Sequence, residues 1–578
     1  IDLKMSADDL ATALTRVGLA VEGIHPHLDD FVLDVDLTSN RPDCLSHLGV
    51  ARELRVITNG ELRISNDKDQ KPTTENQTLV TVHDPDLCHR FVGRVIRNVK
   101  IGPSPQWLVD RLEAIGDRAI NNVADITNYV MHELGQPMHA FDFNKLAENR
   151  IVVRRARNGE AITTLDEVDR KLDDTMLAIC DAEKPVAVAG VMGGLASSIT
   201  ESTTSVLLEV AYFDRANIRA TSRKLNLTTE ASYRFERGVD IENLTRASNR
   251  ATELIGELAG GEAVDFVDVY PTKFTPNMVV SNDISAAAKR LTGLEVSTEK
   301  CLRILSALGI DIADQSQIAN RKSQIFTSPS WRHDIAIEED LVEEVTRHAG
   351  YENIADELPP AFGAGEYQHN ELREKRLRDT LTNMGFDEAI SYSFIDTRHD
   401  EVFEIVPDLL DTKSKETLVT LRDSVIDGAV RMRPTILPGL LDALRLNLNY
   451  QRRDLKLYEL GKVFAAGSSE DGLPNEQELF ALAITGGEIS QNKNLALREH
   501  DFYDAKGAIE AALASAGVGS IIFAAADVKH LRRGQSAVIS LNGEAIGYVG
   551  RLAAEIAAGY KFKQPVYVGE LNLQAALA

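Results

Sequence analysis

The order of apolar and polar residues predicts alternating helices and strands grouped into several blocks. A helix is predicted from Ala7 to Val17, a short strand from Phe31 to Leu37 and a second helix from Leu48 to Val56. Thr38-Ser-Asn-Arg-Pro-Asp-Cys44 joins the last two, and the polar, proline-containing stretch from Gln70 to Asn76 reads as a linker. From 78 to 272, short Val/Ile-rich strands alternate with helices, an α+β pattern. Within it, Tyr129, Val130 and Leu134 lie near helical spacing; Gly135 ends that helix and Pro137 blocks its continuation. His139-Ala-Phe-Asp142 therefore leaves a helix end, where backbone groups lack partners. The block closes with Val264 to Tyr270, before Pro271 and Pro276. Helices near Ala286 to Leu294 and Thr298 to Leu308 mark a small domain. The last block opens with a helix from Leu372 to Met384. Strands from Leu455 to Leu460 and Leu479 to Thr485 follow, then a hairpin of Ala537 to Leu541 and Ala545 to Val549 around Asn542-Gly543. The boundaries read as 1–77, 78–272, 273–357 and 358–578, with no internal repeat and no low-complexity tract.

Composition narrows the class. A chain of 578 residues is too long for one core, and 43% hydrophobic with 26% charged residues is an ordinary globular composition. No apolar run has the length of a membrane span, and no basic-then-apolar leader opens the chain. The first residue is not Met, so a processed, truncated or trimmed start is expected. Cys44, Cys88, Cys180 and Cys301 are far apart and form no zinc-ligand pair, which points to buried thiols in a reducing cytoplasm. A net charge of −25 argues against a freestanding nucleic-acid binder. It leaves room for local RNA contact by a subunit whose partner supplies the positive charge.

Four long strings occur in order: Thr127-Asn-Tyr-Val-Met-His-Glu-Leu-Gly-Gln-Pro-Met-His-Ala-Phe-Asp142, Ala189-Gly-Val-Met-Gly-Gly194, Val206-Leu-Leu-Glu-Val-Ala-Tyr-Phe213 and Leu227-Thr-Thr-Glu-Ala-Ser-Tyr-Arg-Phe-Glu-Arg-Gly238. With them, and from about Leu10 to about Leu573, the chain resembles the bacterial phenylalanine–tRNA synthetase beta subunits. The resemblance implies a multidomain α+β protein. Its parts would be an editing domain, a small helical domain like a DNA-binding fold, and a degenerate class II synthetase-like antiparallel sheet domain. The Asn40-Arg-Pro-Asp43 string matches the family signature. The family's oligonucleotide-binding barrel, inserted before that string, is missing between Gly23 and Phe31. The family's C-terminal ferredoxin-like domain is not expected after Val566 to Leu573.

The resemblance also implies a second, hydrolytic site. An apolar pocket rejects an added hydroxyl poorly, by only about a hundredfold, so phenylalanine and tyrosine need a site that demands the hydroxyl. In the family that site hydrolyses tyrosyl-tRNA(Phe). Arg118, His139 and Glu209 match its pocket arginine, histidine and hydroxyl-reading glutamate; Gly190, Gly193, Thr229 and Ala231 match the rest of its pocket. The residues alone leave alternatives open. Glu209 interrupts an apolar strand and could point to solvent, the glycines could be mere turns, and His139 could cap a helix end. No Ser, Cys or Asp is paired with a base, so an activated water fits better than a side-chain nucleophile.

A second constellation is Ser330-Trp-Arg-His-Asp-Ile-Ala-Ile-Glu-Glu-Asp-Leu-Val-Glu-Glu-Val345. Asp340, Glu343 and Glu344 at i, i+3 and i+4 share a helix face, and Asp334 lies just upstream. Hard oxygen donors favour magnesium, whereas a solvated first turn favoured by the helix dipole is the bland alternative. By resemblance, the four carboxylates bind Mg2+ at a site shared with an alpha subunit in an α2β2 heterotetramer with tRNA(Phe). ATP is then used by the alpha subunit. Around Arg431-Met-Arg-Pro434, Arg433 leads into a proline, and no Gly-x-Gly-x-Gly-x-x-Arg string occurs. An adenylation site on this chain is not expected. A freestanding hydrolase of misacylated tRNA and a non-catalytic scaffold paralogue are the competing readings.

Overall fold

The computed structural model describes residues 4–64, 79–313, 323–358, 363, 365–410, 417–467, 473–488 and 498–578. The predicted linker from Gln70 to Asn76 lies outside them. The chain divides into two compact units, Ile1–Leu358 and Pro359–Ala578.

The first unit begins with two capped helices around a hairpin. Ser6 caps Ala7–Arg16 and Ser46 caps His47–Thr58, each hydroxyl accepting from a backbone N–H three residues on. Between them Ala20–His27 pairs antiparallel with Asp30–Asp36 through a two-residue turn. The Ala20–His27 strand was not legible in the sequence. Its Glu, Pro and two His residues mask the alternation, and none of it is fully buried.

The centre of this unit is two sheets face to face. The first has four antiparallel strands in the order Glu262–Val269, Cys88–Arg97, Ser205–Phe213, Met138–Asp142. Alternate residues take opposite faces. Val206, Leu208 and Val210 pack under the helices Gln106–Ala114, Asn122–Leu134 and Leu244–Ala259. Leu207, Ala211 and Phe213 face the second sheet together with Phe91, Val95 and Phe141. That sheet has the order Met192–Gly193, Pro185–Val188, Leu177–Cys180, Ile151–Arg155, Val80–Val82. Strand parity therefore turns Glu209 and His139 into the space between the sheets.

The small domain is not purely helical. Its helices Ile284–Thr292, Thr298–Ala307 and Glu338–Ala349 pack against a three-stranded sheet of Met278–Ser281, Gln324–Thr327 and Asp311–Ile312. The short strands Met278–Ser281 and Asp311–Ile312 carry too few residues for a period to be read.

The second unit is a seven-stranded sheet in the order Asp387–Glu388, Leu455–Ala465, Asn475–Thr485, Val566–Asn572, Glu544–Leu552, Leu531–Leu541, Ile521–Ala525. All its pairs are antiparallel except the first. Glu371–Asn383 and Phe502–Ser515 cover one face and Leu437–Asn449 the other. Asn542 and Gly543 both take positive φ, 54° and 91°, the conformation a two-residue hairpin turn requires. The four cysteines are free and buried. No helix among the described residues is long and apolar enough to cross a membrane.

Candidate functional site

The cross-strand register aligns Val267, Gly93, Glu209 and His139 in one row across the four-stranded sheet. His139 is thus a strand residue opposite Glu209, not the helix-end cap that its place after Gly135 suggested. Gly135 does end the helix, with φ 78°, but the chain then pairs as Met138–Asp142. Glu209 is only 6% exposed, so the solvent-facing alternative fails too. Glu209 Oε2 and His139 Nε2 are both buried with no hydrogen-bond partner among the described residues.

Burial alone sets the protonation of the pair. It pushes the Glu209 carboxyl up to about 8 and the His139 imidazole down to about 4, so both groups are neutral near pH 7. Phe141 meets the His139 ring edge-on, with centroids 4.5 Å apart. Two neutral polar groups side by side, each short of a partner, can receive a hydroxyl and hold a water without a charge to desolvate.

The glycines shape the wall opposite. A Cβ on Gly193 would lie 2.6 Å from His139 Nε2, so only glycine lets that strand approach the imidazole. Gly193 sits in a strand and is not a turn residue. Gly190, with φ 65°, does sit in a turn, and its missing Cβ makes room for Ile218, Phe213 and Phe235. Thr229 caps the helix Glu230–Phe235 and donates its hydroxyl to Val191 O at 2.7 Å, tying that helix to the glycine turn. Ala231 packs on the same apolar core.

Arg118 is not in contact with this row. It is exposed on the loop between Gln106–Ala114 and Asn122–Leu134. Its neighbour Asp117 nevertheless holds His132 at 2.9 Å, and Arg234 on the Thr229-capped helix lies 3.4 Å from the other His132 nitrogen. That staple links the Arg118 loop to the helix of Thr229 and Ala231. Neither His132 nor Gly93 stood out in the sequence. A crevice of about 410 Å³ lined by Lys100, Gly102, Asn122 and Ala259 lies among helix ends of this unit and does not include the row.

The acidic cluster is arranged differently from the shared face that its spacing predicts. Glu344 turns inward and accepts from Arg332 at 2.8 and 2.9 Å and from Arg347 at 2.6 and 3.1 Å. Asp334 is held by the same Arg332 at 2.8 and 2.9 Å. Asp340 bends back to accept from the Ala336 and Ile337 backbone N–H groups, as a helix cap. Glu343 is exposed. Arg347 continues to Glu53, which also receives Arg41 of the Asn40-Arg-Pro-Asp43 string and His348. The guanidinium groups hold the Glu344 carboxyl well below the usual carboxylate range, at about 2. The string's arginine thus fastens the N-terminal segment to the small domain, a role its sequence did not reveal. The donor chemistry of the four carboxylates suits magnesium; their geometry here does not, because Arg332 and Arg347 neutralise two of them.

In the second unit Arg433 is spent on structure. It donates to Lys462 O, Ser391 Oγ and Glu459 at 2.7 to 2.9 Å, and is buried. Thr435 and the Ile436 N–H satisfy the buried Glu570, whose carboxyl desolvation raises to about 7.

The described parts are a two-sheet domain with a buried acid–imidazole pair, an arginine-braced small domain and a covered antiparallel sheet, and the family matches place the chain among tRNA synthetase subunits. Residues 87–260 match the B3/4 domain and 285–351 the tRNA synthetase B5 domain. Residues 354–573 match the phenylalanyl tRNA synthetase beta chain CLM domain. The chain belongs to the family of phenylalanine–tRNA ligase beta subunits. It is 40% identical over 548 residues to that of Carboxydothermus hydrogenoformans, covering 94% of this chain and 67% of that protein. It is 38% identical over 562 residues to that of Geobacter sulfurreducens, covering 95% and 68%. The corresponding figures for Moorella thermoacetica are 39% over 555 residues, 95% and 67%. The chain therefore spans about two thirds of the length of these relatives.

Proposed function

We propose that this chain serves phenylalanine–tRNA ligation as the beta subunit beside an alpha subunit that uses ATP, and that it hydrolyses tyrosyl-tRNA(Phe) at the Glu209–His139 row. The observation that carries the editing reading is the pair of buried, unpartnered polar atoms, Glu209 Oε2 and His139 Nε2, on adjacent strands. A buried polar atom without a partner is costly, and a tyrosine hydroxyl at Glu209 would relieve that cost where phenylalanine would not. His139, neutral at physiological pH, would hold the attacking water, with the terminal ribose hydroxyl of the tRNA as a second anchor. Gly190, Gly193, Thr229 and Ala231 would form the pocket wall, and Arg118 would act from the stapled loop. The domain divisions at 77/78, 272/273 and 357/358 belong to this reading.

Magnesium at Asp334, Asp340, Glu343 and Glu344 is proposed only for a rearranged state in which Arg332 and Arg347 release Asp334 and Glu344; as the chain is folded here, only Asp340 and Glu343 lie outside the arginine clamp. Synthesis of the adenylate would fall to the alpha subunit, since Arg433 is committed to Glu459, Ser391 and Lys462.

The test is Glu209→Ala with tyrosyl-tRNA(Phe) and phenylalanyl-tRNA(Phe) as parallel substrates. Tyrosyl ester hydrolysis should fall about ten- to a hundredfold, the worth of a strong hydrogen bond. Phenylalanyl ester hydrolysis should stay low or rise slightly. Undiminished discrimination in the variant would remove Glu209 from hydroxyl recognition.

A further inference from the structure

The helix Arg215–Lys224 follows directly on the Glu209 strand and carries Arg215, Arg219 and Arg223 at i, i+4 and i+8. These positions fall about 6 Å apart along one side of the helix. All three are exposed. The opposite side is buried through Ile218, Thr221 and Ser222. Ile218 reaches the Gly190 turn, where an added Cβ would meet it at 2.8 Å. The arginine stripe is thus the outer surface of the element whose inner surface packs on the pocket wall.

The carboxylates around it are occupied. Asp214 caps the helix by accepting from Asn217 N, Asp173 holds Lys224, Glu230 holds Arg234 and Glu236 holds Arg237. Among the described residues, Arg215, Arg219 and Arg223 form no ion pair. Three unneutralised guanidinium groups in a row are unusual on a chain of net charge −25. Such a row fits a polyanion with regularly spaced charges.

We propose that Arg215, Arg219 and Arg223 bind the phosphate backbone at the acceptor end of tRNA and lead its 3′ terminus to the Glu209–His139 row. The proposal rests on the editing reading for its destination, but the RNA contact stands or falls by itself. Backbone contacts position a nucleic acid without reading its sequence, so the surface would serve correctly charged and mischarged tRNA alike.

The experiment measures binding of the full chain to a short RNA hairpin with an unpaired 3′ extension, as a function of salt. The comparison is between the native chain and Arg215→Gln/Arg219→Gln/Arg223→Gln. Loss of three phosphate contacts should make the slope of log Kobs against log[salt] shallower by about 2. A control, Lys289→Gln/Arg290→Gln/Lys462→Gln, removes the same charge from groups already paired with Glu295, Glu338 and Glu476, and should leave the slope unchanged. Matching far-ultraviolet circular dichroism and melting of the three chains guard against misfolding. An unchanged slope in the stripe variant, or an equal loss in the control, would overturn the proposal. So would a stripe variant that keeps its RNA slope while losing affinity for an acidic peptide, which would make the surface a protein contact. If the stripe governs RNA binding while native chain shows no tyrosyl ester hydrolysis, the stripe stands and the editing reading is what fails.

Discussion

Two sheets in this molecule bury carboxylates in the middle of a strand, and they treat them in opposite ways. In the first unit Glu209 has a neighbour, His139, and no hydrogen bond at Oε2. In the second, Glu459, Ala481, Glu570 and Tyr548 form a comparable row across strands, and both carboxylates are satisfied. Ser391 and Arg433 serve Glu459; Thr435 and the Ile436 N–H serve Glu570. Burial raises both Glu209 and Glu570, to about 8 and about 7. What separates them is whether the surrounding chain supplies partners. A completed network is a scaffold; an incomplete one is a place for something else to bind.

The comparison breaks most readily at Arg433. Arg433→Ala strips the buried Glu459 of its counter-charge and should cost about 3–5 kcal/mol. Urea unfolding of the full chain, followed by a probe in 359–578, would report it. A loss near zero would mean that this row is not the completed network described here. Glu209→Gln, by contrast, should not destabilise the first unit.

The next effect is in pH. The folded-state value of Glu209 lies above its ordinary 4.5, so its contribution to stability is fully present below about 4.5 and is lost as pH rises through about 8. At about 1.36 kcal/mol per unit, the loss is on the order of 5 kcal/mol. His139 has the reverse sign. Lowered from 6.5 to about 4, it contributes stability above about 6.5 that is lost as pH falls through about 4. Glu209→Gln should therefore flatten the fall of a melting-temperature profile between about pH 4.5 and about 8 and leave the acid limb in place. Equal limbs in variant and native chain would contradict the buried, neutral state of Glu209.

The smallest effect concerns a carboxylate between the two extremes. Asp340 is half-exposed and caps its own helix, so Asp340→Ala should cost about 1 kcal/mol through lost capping. If it also holds magnesium, calorimetric titration of the assembled subunits with Mg2+ should weaken in the variant. Unchanged titration with the capping loss intact would leave Asp340 as a cap alone.

Much of the fold was readable from the chain. The helix end at Gly135 and the Asn542-Gly543 hairpin follow from residues that favour one local conformation, whereas the helix predicted to run to Leu294 stops at Thr292 with Gly293 as its left-handed cap. The Ala20–His27 strand and the three-stranded sheet of the small domain were not readable, because those strands are short or half-exposed and have little period. Arg118, His139 and Glu209 could be singled out by their strings. Their surroundings could not, and Gly93, His132 and the Arg41–Glu53 pair carried no visible signal.

Local preferences along the chain set most of the elements, the family and the types of residue available for chemistry. The sequence also placed Glu209 in an apolar strand, but not the face it takes or the company it keeps. Register and sheet stacking, set by contacts far apart in the chain, put His139 opposite Glu209 and left both atoms without partners. The same long-range packing decided that Glu344 and Asp334 meet arginines while Asp340 turns to its own backbone. Spacing along a helix fixes which residues share a side; it cannot say what the rest of the protein brings to that side. Ionisation follows from those neighbours and from burial, so the state of each carboxylate is a property of the tertiary structure.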